Sequence, residues 1–125
     1  MRIVSKPWGQ EEIWAETGGY LGKILTINPG HRLSRQYHNF KEETFRVLSG
    51  VLTLEIGNVT GLDPENDMLI YNLEAGESFH CPPKMIHRMV CNPFSNLEAV
   101  QVLEVSTNPP GIVEDIVRLE DDYKR

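Results

Sequence analysis

The chain has 125 residues, of which 40% are apolar and 24% charged, and its net charge is −6. That length suits one domain burying roughly two-thirds of its unfolded surface, so folding needs no disulfide or other staple. The acidic balance argues against nucleic acid or an anionic membrane as the main partner, while leaving room for a local basic pocket.

In chain order, Lys6-Pro7-Trp8-Gly9 is a turn-forming cluster, with Trp8 expected as a lid over the core. Glu12 to Thr17 is predicted as a short strand and Gly18-Gly19 as a turn. Tyr20 to Ile27 follows as a strand, with Lys23, Leu25 and Ile27 on one face. A lysine in register with apolar residues is either an edge residue or a charge inside a cavity. Asn28-Pro29-Gly30 turns the chain into a strand from Arg32 to His38, on which Gln36 and His38 share a face. After a polar turn, Glu43 to Ser49 and Val51 to Ile56 are predicted to form a hairpin joined at Gly50.

Gly57 to Asp67 is a polar loop, and Met68 to Leu73 returns as a strand. Ser78 to Cys81 and Met85 to Cys91 are predicted as a second hairpin, which holds His87. Leu97 to Ser106 is a long apolar strand, Thr107 to Gly111 breaks the pattern, and Val113 to Leu119 alternates briefly before an acidic tail. Ten or so short strands without helical periodicity predict an all-β barrel or double-sheet jelly roll, one domain over residues 1–125. Cys81 and Cys91 lack CxxC spacing and read as free, buried thiols of a reducing compartment. No charged-then-apolar leader opens the chain and no apolar run approaches a membrane span, so a cytoplasmic location is expected.

Gln36, His38 and Glu43 can converge on one point, with His87 as the obvious fourth donor. Either histidine alone would more often be a satisfied core residue; the joint spacing is what points to a metal. Two nitrogens and two oxygens with a single carboxylate leave a divalent ion net positive, which suits a Lewis acid. Zn²⁺, Mn²⁺, Co²⁺, Ni²⁺ and Fe²⁺ are all compatible with that set. His31 and His80 are expected outside the ligand set.

The order Gly30, Gln36, His38, Glu43, Gly50 closely resembles the first cupin motif, with Gln36 in place of its usual first histidine. Gly76, Pro82 and His87 resemble the second motif, with Lys84 where a glycine is usual and Cys91 where an asparagine is usual. Pro29-Gly30-x-Arg32-Leu33-Ser34-x-Gln36-x-His38, the dipeptide His87-Arg88 and the tail from Asp115 to Arg125 are similar to the cupin domain of type II mannose-6-phosphate isomerases. That domain usually follows a nucleotidyltransferase domain, whose Gly-rich nucleotide loop is not found in this sequence. The resemblance runs from Pro7 to the last residue and is poorest between Gly57 and Asn72.

The resemblance implies a cupin-type double-stranded β-helix and a metal site of Gln36, His38, Glu43 and His87, with zinc favoured. It further implies interconversion of mannose 6-phosphate and fructose 6-phosphate through an enediol(ate). Lys23 is then placed in the cavity, and Arg118 is the expected phosphate anchor, unless it pairs with Glu114 or Glu120 at the surface. Lys23 or Glu104 is expected to handle the proton, and Arg32, Lys84 and Arg88 to contact substrate. A homodimer is expected, as cupins often pair through edge strands. Two other classes stay open: a non-catalytic sugar- or nucleotide-sugar-binding cupin, and an Fe-dependent cupin dioxygenase. Dioxygenases of this fold usually resemble a three-histidine, one-glutamate shell, from which Gln36 departs.

Overall fold

The computed structural model describes residues 2–58, 68–108 and 115–125, whose regular elements are all strands. They are β1 (Arg2–Lys6), β2 (Gly9–Glu16), β3 (Tyr20–Ile27), β4 (Arg35–Tyr37), β5 (Glu43–Ser49), β6 (Val51–Asn58), β7 (Leu69–Glu74), β8 (Ser78–Cys81), β9 (Met85–Val90), β10 (Val100–Thr107) and β11 (Val117–Glu120). Residues 59–67 of the expected polar loop, and 109–114 with Glu114 and most of the expected Thr107–Gly111 break, lie outside the described residues.

All pairings are antiparallel, in two sheets: β1-β2-β3-β10-β5-β8 and β11-β4-β9-β6-β7. This is the double-stranded β-helix expected from the sequence, in a single small domain. Alternation along the strands supplies the core. Leu25 and Ile27 of β3, Phe45 and Val47 of β5, and Val100 and Val102 of β10 are buried from one sheet. Leu52 and Leu54 of β6 and Met89 of β9 meet them from the other. Each such side chain contributes on the order of 1.5–3 kcal/mol on burial.

The opening segment is more regular than the sequence suggested. Strand β1 precedes the Pro7-Trp8 turn and pairs with β2 from Lys6↔Gly9 to Arg2↔Ile13. Gly9 is required there, because a Cβ at this position would overlap the Thr26 carbonyl oxygen of the neighbouring strand. Trp8 is buried in the core as expected.

Neither predicted hairpin in the middle of the chain forms. Strand β5 pairs with β10 and β8, whereas β6 pairs with β7 and β9, so the chain changes sheet at Gly50. Gly50 takes a φ of +83° at that corner, a left-handed conformation that only glycine adopts at no steric cost. Strands β8 and β9 part in the same way across Pro82-Pro83-Lys84. Proline lacks the N–H that a continuing ladder needs. The physical reason for both corrections is that sequence neighbours bury their apolar faces better across two sheets than side by side in one. The consequence for the site is direct: β9 lies beside β4, with Gln36 and His87 as register partners.

Candidate metal centre

Strands β4, β5 and β9 bring His38, Glu43 and His87 together as a buried cluster whose donor atoms all lie within 4.8 Å of one another. His38 follows β4 immediately, Glu43 opens β5 in the opposite sheet, and His87 is central in β9. Each imidazole is oriented from behind. Nδ1 of His38 donates to the Asp115 carbonyl at 2.7 Å, and Nδ1 of His87 donates to the Met85 carbonyl at 3.0 Å. A carbonyl can only accept, so both protons sit on Nδ1, and both Nε2 lone pairs face the cluster.

Oε1 of Glu43 lies 2.7 Å from Nε2 of His38 and 3.7 Å from Nε2 of His87. Yet this oxygen, on a side chain only 3% exposed, has no hydrogen-bond partner, since an Nε2 without a proton cannot donate to it. Three lone pairs therefore converge with no proton between them, an arrangement that costs energy unless a cation sits among them. The cluster thus fits a metal ion. Gln36, the fourth expected ligand, lines the same cavity and is the register partner of His87. Its amide nitrogen donates to the Ser34 hydroxyl at 3.1 Å and carbonyl at 3.3 Å, leaving the amide oxygen as the atom free to act as a donor.

The electrostatics agree. Burial alone would raise the Glu43 carboxyl, but contacts with Glu104 and His38 and the nearby His87 outweigh it and hold Glu43 well below the usual carboxylate range. Glu104 goes the other way: full burial, then the negative charge of Glu43, keep its proton on. One proton is thus held between two carboxyls, and it resides on Glu104. Burial also lowers His87, keeping it a neutral donor. Cys81, whose Sγ lies 3.4 Å from Nδ1 of His87, is pushed up to about 12 by burial and by Glu43 and Glu104, so its thiol is inert at neutral pH.

The cluster forms part of the wall of a cavity of about 240 Å³ between the sheets. Lys23, Glu104 and Arg118, expected at the site, line it, together with Gln36, His38, Glu43 and His87. Lys23 and Glu104 are cross-strand partners, which puts the lysine inside the cavity rather than at an edge. Among the described residues Arg118 has no ion-pair partner; in particular it does not pair with Glu120.

The structure brings the other three expected contacts elsewhere. Arg88 alternates with His87 along β9, so it faces away from the cavity and is fully buried beneath the C-terminal tail, bonded to Glu120. Arg32 forms a two-pronged pair with Asp122, at 2.7 and 2.8 Å, on the same outer side. Lys84 sits in the β8–β9 corner with φ +69°, against Pro82, Pro83 and Met85. That left-handed backbone explains why a glycine would be the usual residue there. His31 stacks on Tyr123, and the exposed His80 meets Glu42, both outside the cavity.

Sequence reading missed Lys6, Glu11, Lys41, Asp115 and Arg125, all of which line the cavity. Glu11 takes its place opposite Leu25 once β2 and β3 pair, and its carboxylate lies 3.5 Å from the ammonium of Lys23. Lys41 could have been found, since it stands in the turn between two ligand candidates. Among the described residues its ammonium, like the Arg118 guanidinium, has no ion-pair partner. No helix of the described residues is long and apolar enough to cross a membrane.

Comparison with known proteins bears on the same residues. A family model described as mannose-6-phosphate isomerase C-terminal matches residues 1–121. The alginate biosynthesis protein AlgA of Pseudomonas aeruginosa is 31% identical over 122 residues, covering 98% of this chain and 23% of that protein. The mannose-1-phosphate guanylyltransferase RfbM of Salmonella typhimurium is 29% identical over 117 residues, covering 94% of this chain and 22% of that protein. The chain therefore spans under a quarter of the length of these relatives. Among solved structures, KdgF from Halomonas sp. superposes with a TM-score of 0.68 at 16% identity, over 86% of this chain and 88% of that one. At that identity the likeness shows the fold alone.

Proposed function

Because this chain belongs to the mannose-6-phosphate isomerase C-terminal family, we propose that it is a metal-dependent sugar-phosphate isomerase interconverting mannose 6-phosphate and fructose 6-phosphate. The observation that carries the reading is the pairing of two unlike features in one cavity. A buried triad with an orphaned carboxylate oxygen fits a divalent cation, and Lys41 and Arg118, without an ion-pair partner among the described residues, suit a phosphate. We take the ion to be zinc, which the mixed nitrogen and oxygen donors suit, held by His38, Glu43 and His87 with the Gln36 amide oxygen. When bound, it would supply Lewis acidity toward the neighbouring oxygens of the sugar.

The chain's own residues do the rest. Arg118 offers a planar fork for two phosphate oxygens and Lys41 a point charge in the same cavity, which together would fix the sugar by its phosphate end. Glu104 carries a proton in the folded state and so enters as an acid; Lys23, its cross-strand neighbour, is the second proton-handling group at the reacting carbons. Trp8, Leu25, Leu33 and Met89 wall the cavity with apolar surface, which limits water around an enediol(ate).

The test is turnover of mannose 6-phosphate by the purified chain, stripped of metal and reloaded with Zn²⁺, Mn²⁺, Co²⁺ or Fe²⁺. Activity that returns with a redox-inert ion and is lost in Gln36→Ala and Arg118→Ala is the expected result. Stoichiometric metal binding without turnover under any ion would sink the isomerase reading and leave a sugar-binding role.

A further inference from the structure

The C-terminal segment from Asp115 to Arg125 does more than border the cavity. The Asp115 carbonyl holds Nδ1 of His38, while its carboxylate accepts from the backbone N–H groups of Asn39, Phe40 and Lys41 at 3.0, 2.9 and 2.8 Å. One residue thus fixes both the ring of a ligand candidate and the turn leading to Glu43. Strand β11 then pairs with β4, Arg118 lying opposite Gln36. Since β4 has three residues and meets β9 at a single register pair, β11 makes up most of its ladder.

Beyond these bonds and the β11–β4 ladder, the most buried contact on the segment is between Arg88 and Glu120. Arg88 is 0% exposed and spends all three arms of its guanidinium: Nε on the Leu33 carbonyl at 2.9 Å, and the two terminal nitrogens on the Glu120 carboxylate and carbonyl, each at 3.1 Å. The pair between Arg32 and Asp122 is more than a third exposed on both sides, where ion pairs contribute little. An apolar residue at position 88 would fill the space as stably as a buried charge. The feature it could not reproduce is the three-way geometry that sets the register of the tail against Leu33.

We propose that Arg88 and Glu120 are a positioning pair, whose contact, through β11 and Asp115, fixes the proton of His38 on Nδ1 and so aims its Nε2 at the metal cluster. His87 and Arg88, adjacent in β9, then serve the same centre from opposite faces of the sheet, one as a donor and one through the tail. The metal half of this inference rests on the metal reading of the site given above.

The experiment is Glu120→Ala in the full chain, with two readouts that need no turnover. In the metal-free protein, nitrogen NMR of the His38 ring and amide exchange at Asn39, Phe40 and Lys41 report the positioning itself. Titration with Co²⁺, followed by its visible absorption, reports affinity. The variant should show a mixture of His38 tautomers, faster exchange at those amides and Co²⁺ affinity weaker by about 10- to 100-fold, as for loss of other outer contacts to a ligand. Asp122→Ala, which cuts only the exposed pair, should leave all of these unchanged. Glu120→Gln keeps an acceptor without the charge, should lie between, and carries the test if the alanine variant does not fold. Retention of the Nδ1 proton and of protected amides in folded Glu120 variants would overturn the proposal. A wild-type chain that takes up no Co²⁺ would instead overturn the metal reading, with the ring and amide readouts still deciding the role of the pair.

Discussion

Two clusters of charge sit back to back on β9. On the cavity side of His87, Glu43 and the two imidazoles point bare lone pairs at one another, and among the described residues Lys41 and Arg118 have no ion-pair partner. On the other side, around Arg88, the acids of the tail are answered: Glu120 by Arg88 and Arg35, and Asp122 by Arg32. The difference separates two uses of the same residue types. Answered charges hold a segment in register, whereas unanswered ones in a buried cavity are a standing cost that a bound ion or anion would remove.

The comparison breaks most widely at Glu43. Glu43→Ala should lower metal affinity on the order of a thousandfold, beyond the about 10–100-fold typical of an outer contact. It should change the stability of the metal-free fold little, because the orphaned Oε1 goes together with the contacts to Glu104 and His38 that offset the burial of this carboxylate. Metal content after dialysis and a thermal melt of the stripped protein check the two halves; a destabilised stripped variant would place Glu43 among the structural charges instead.

Arg88→Ala should do the reverse. It empties a buried guanidinium site and strands the Leu33 and Glu120 carbonyls, at a cost of about 3 kcal/mol, whereas Arg32→Ala should cost about 0.5 kcal/mol or less. Denaturant melts of the two variants would measure the gap, and equal costs would show that the tail is held by its surface pairs after all.

Acid sharpens the contrast further. Hydrogen bonding by Arg88 holds Glu120 below its ordinary value, and Asp121 sits at about 2, where hydrogen bonds from Arg125 and Tyr123 overcome the effect of burial. For carboxyls depressed in the folded state, the stabilisation is present above the unfolded value and is lost as pH falls through the folded one. The tail should therefore stay docked at neutral pH and loosen as pH falls below the ordinary carboxylate range and Glu120 and Asp122 take up protons, while the turn that Asp121 closes within the tail should persist to about pH 2. Amide exchange or limited proteolysis of residues 115–125 at successive pH values would follow this, the core strands serving as the reference.

The smallest effect lies at the corner between the two clusters. Lys84 holds a left-handed backbone while its N–H donates to the His38 carbonyl at 2.6 Å. Lys84→Gly should relieve about 1 kcal/mol of backbone strain, offset in part by the greater freedom of glycine in the unfolded chain. A modest rise in melting temperature is expected, with metal uptake unchanged.

Much of this was legible in the sequence, for definite reasons. Strand spacing and the Gln36, His38, Glu43, His87 pattern are local or nearly so, and alternation alone tells which side chains share a face. Sharing a face with Leu25 and Ile27 left Lys23 either an edge residue or a cavity charge, and the family resemblance favoured the cavity. What could not be read was which strand pairs with which. The mistaken hairpins about Gly50 and Pro83 follow from assuming that neighbours in sequence pair in space. Arg88 was assigned to substrate through the resemblance of the His87-Arg88 dipeptide, although adjacency in a strand means opposite faces. Asp115 and Lys41 escaped because their roles depend on a tail crossing more than seventy residues of sequence to reach His38, as the 77-residue separation of that hydrogen bond shows.

The alternation of His87 and Arg88 makes residue count itself a functional property of the segment after the two prolines. Inserting or deleting one residue between Pro83 and His87 would exchange the two chemistries, turning a guanidinium into the cavity and an imidazole out beneath the tail. A change of two would restore the faces but displace the imidazole by about 7 Å along the strand, away from its partner Gln36. This stretch should thus accept many changes of residue type and almost none of length, the opposite of what is usual for a turn at the edge of a barrel.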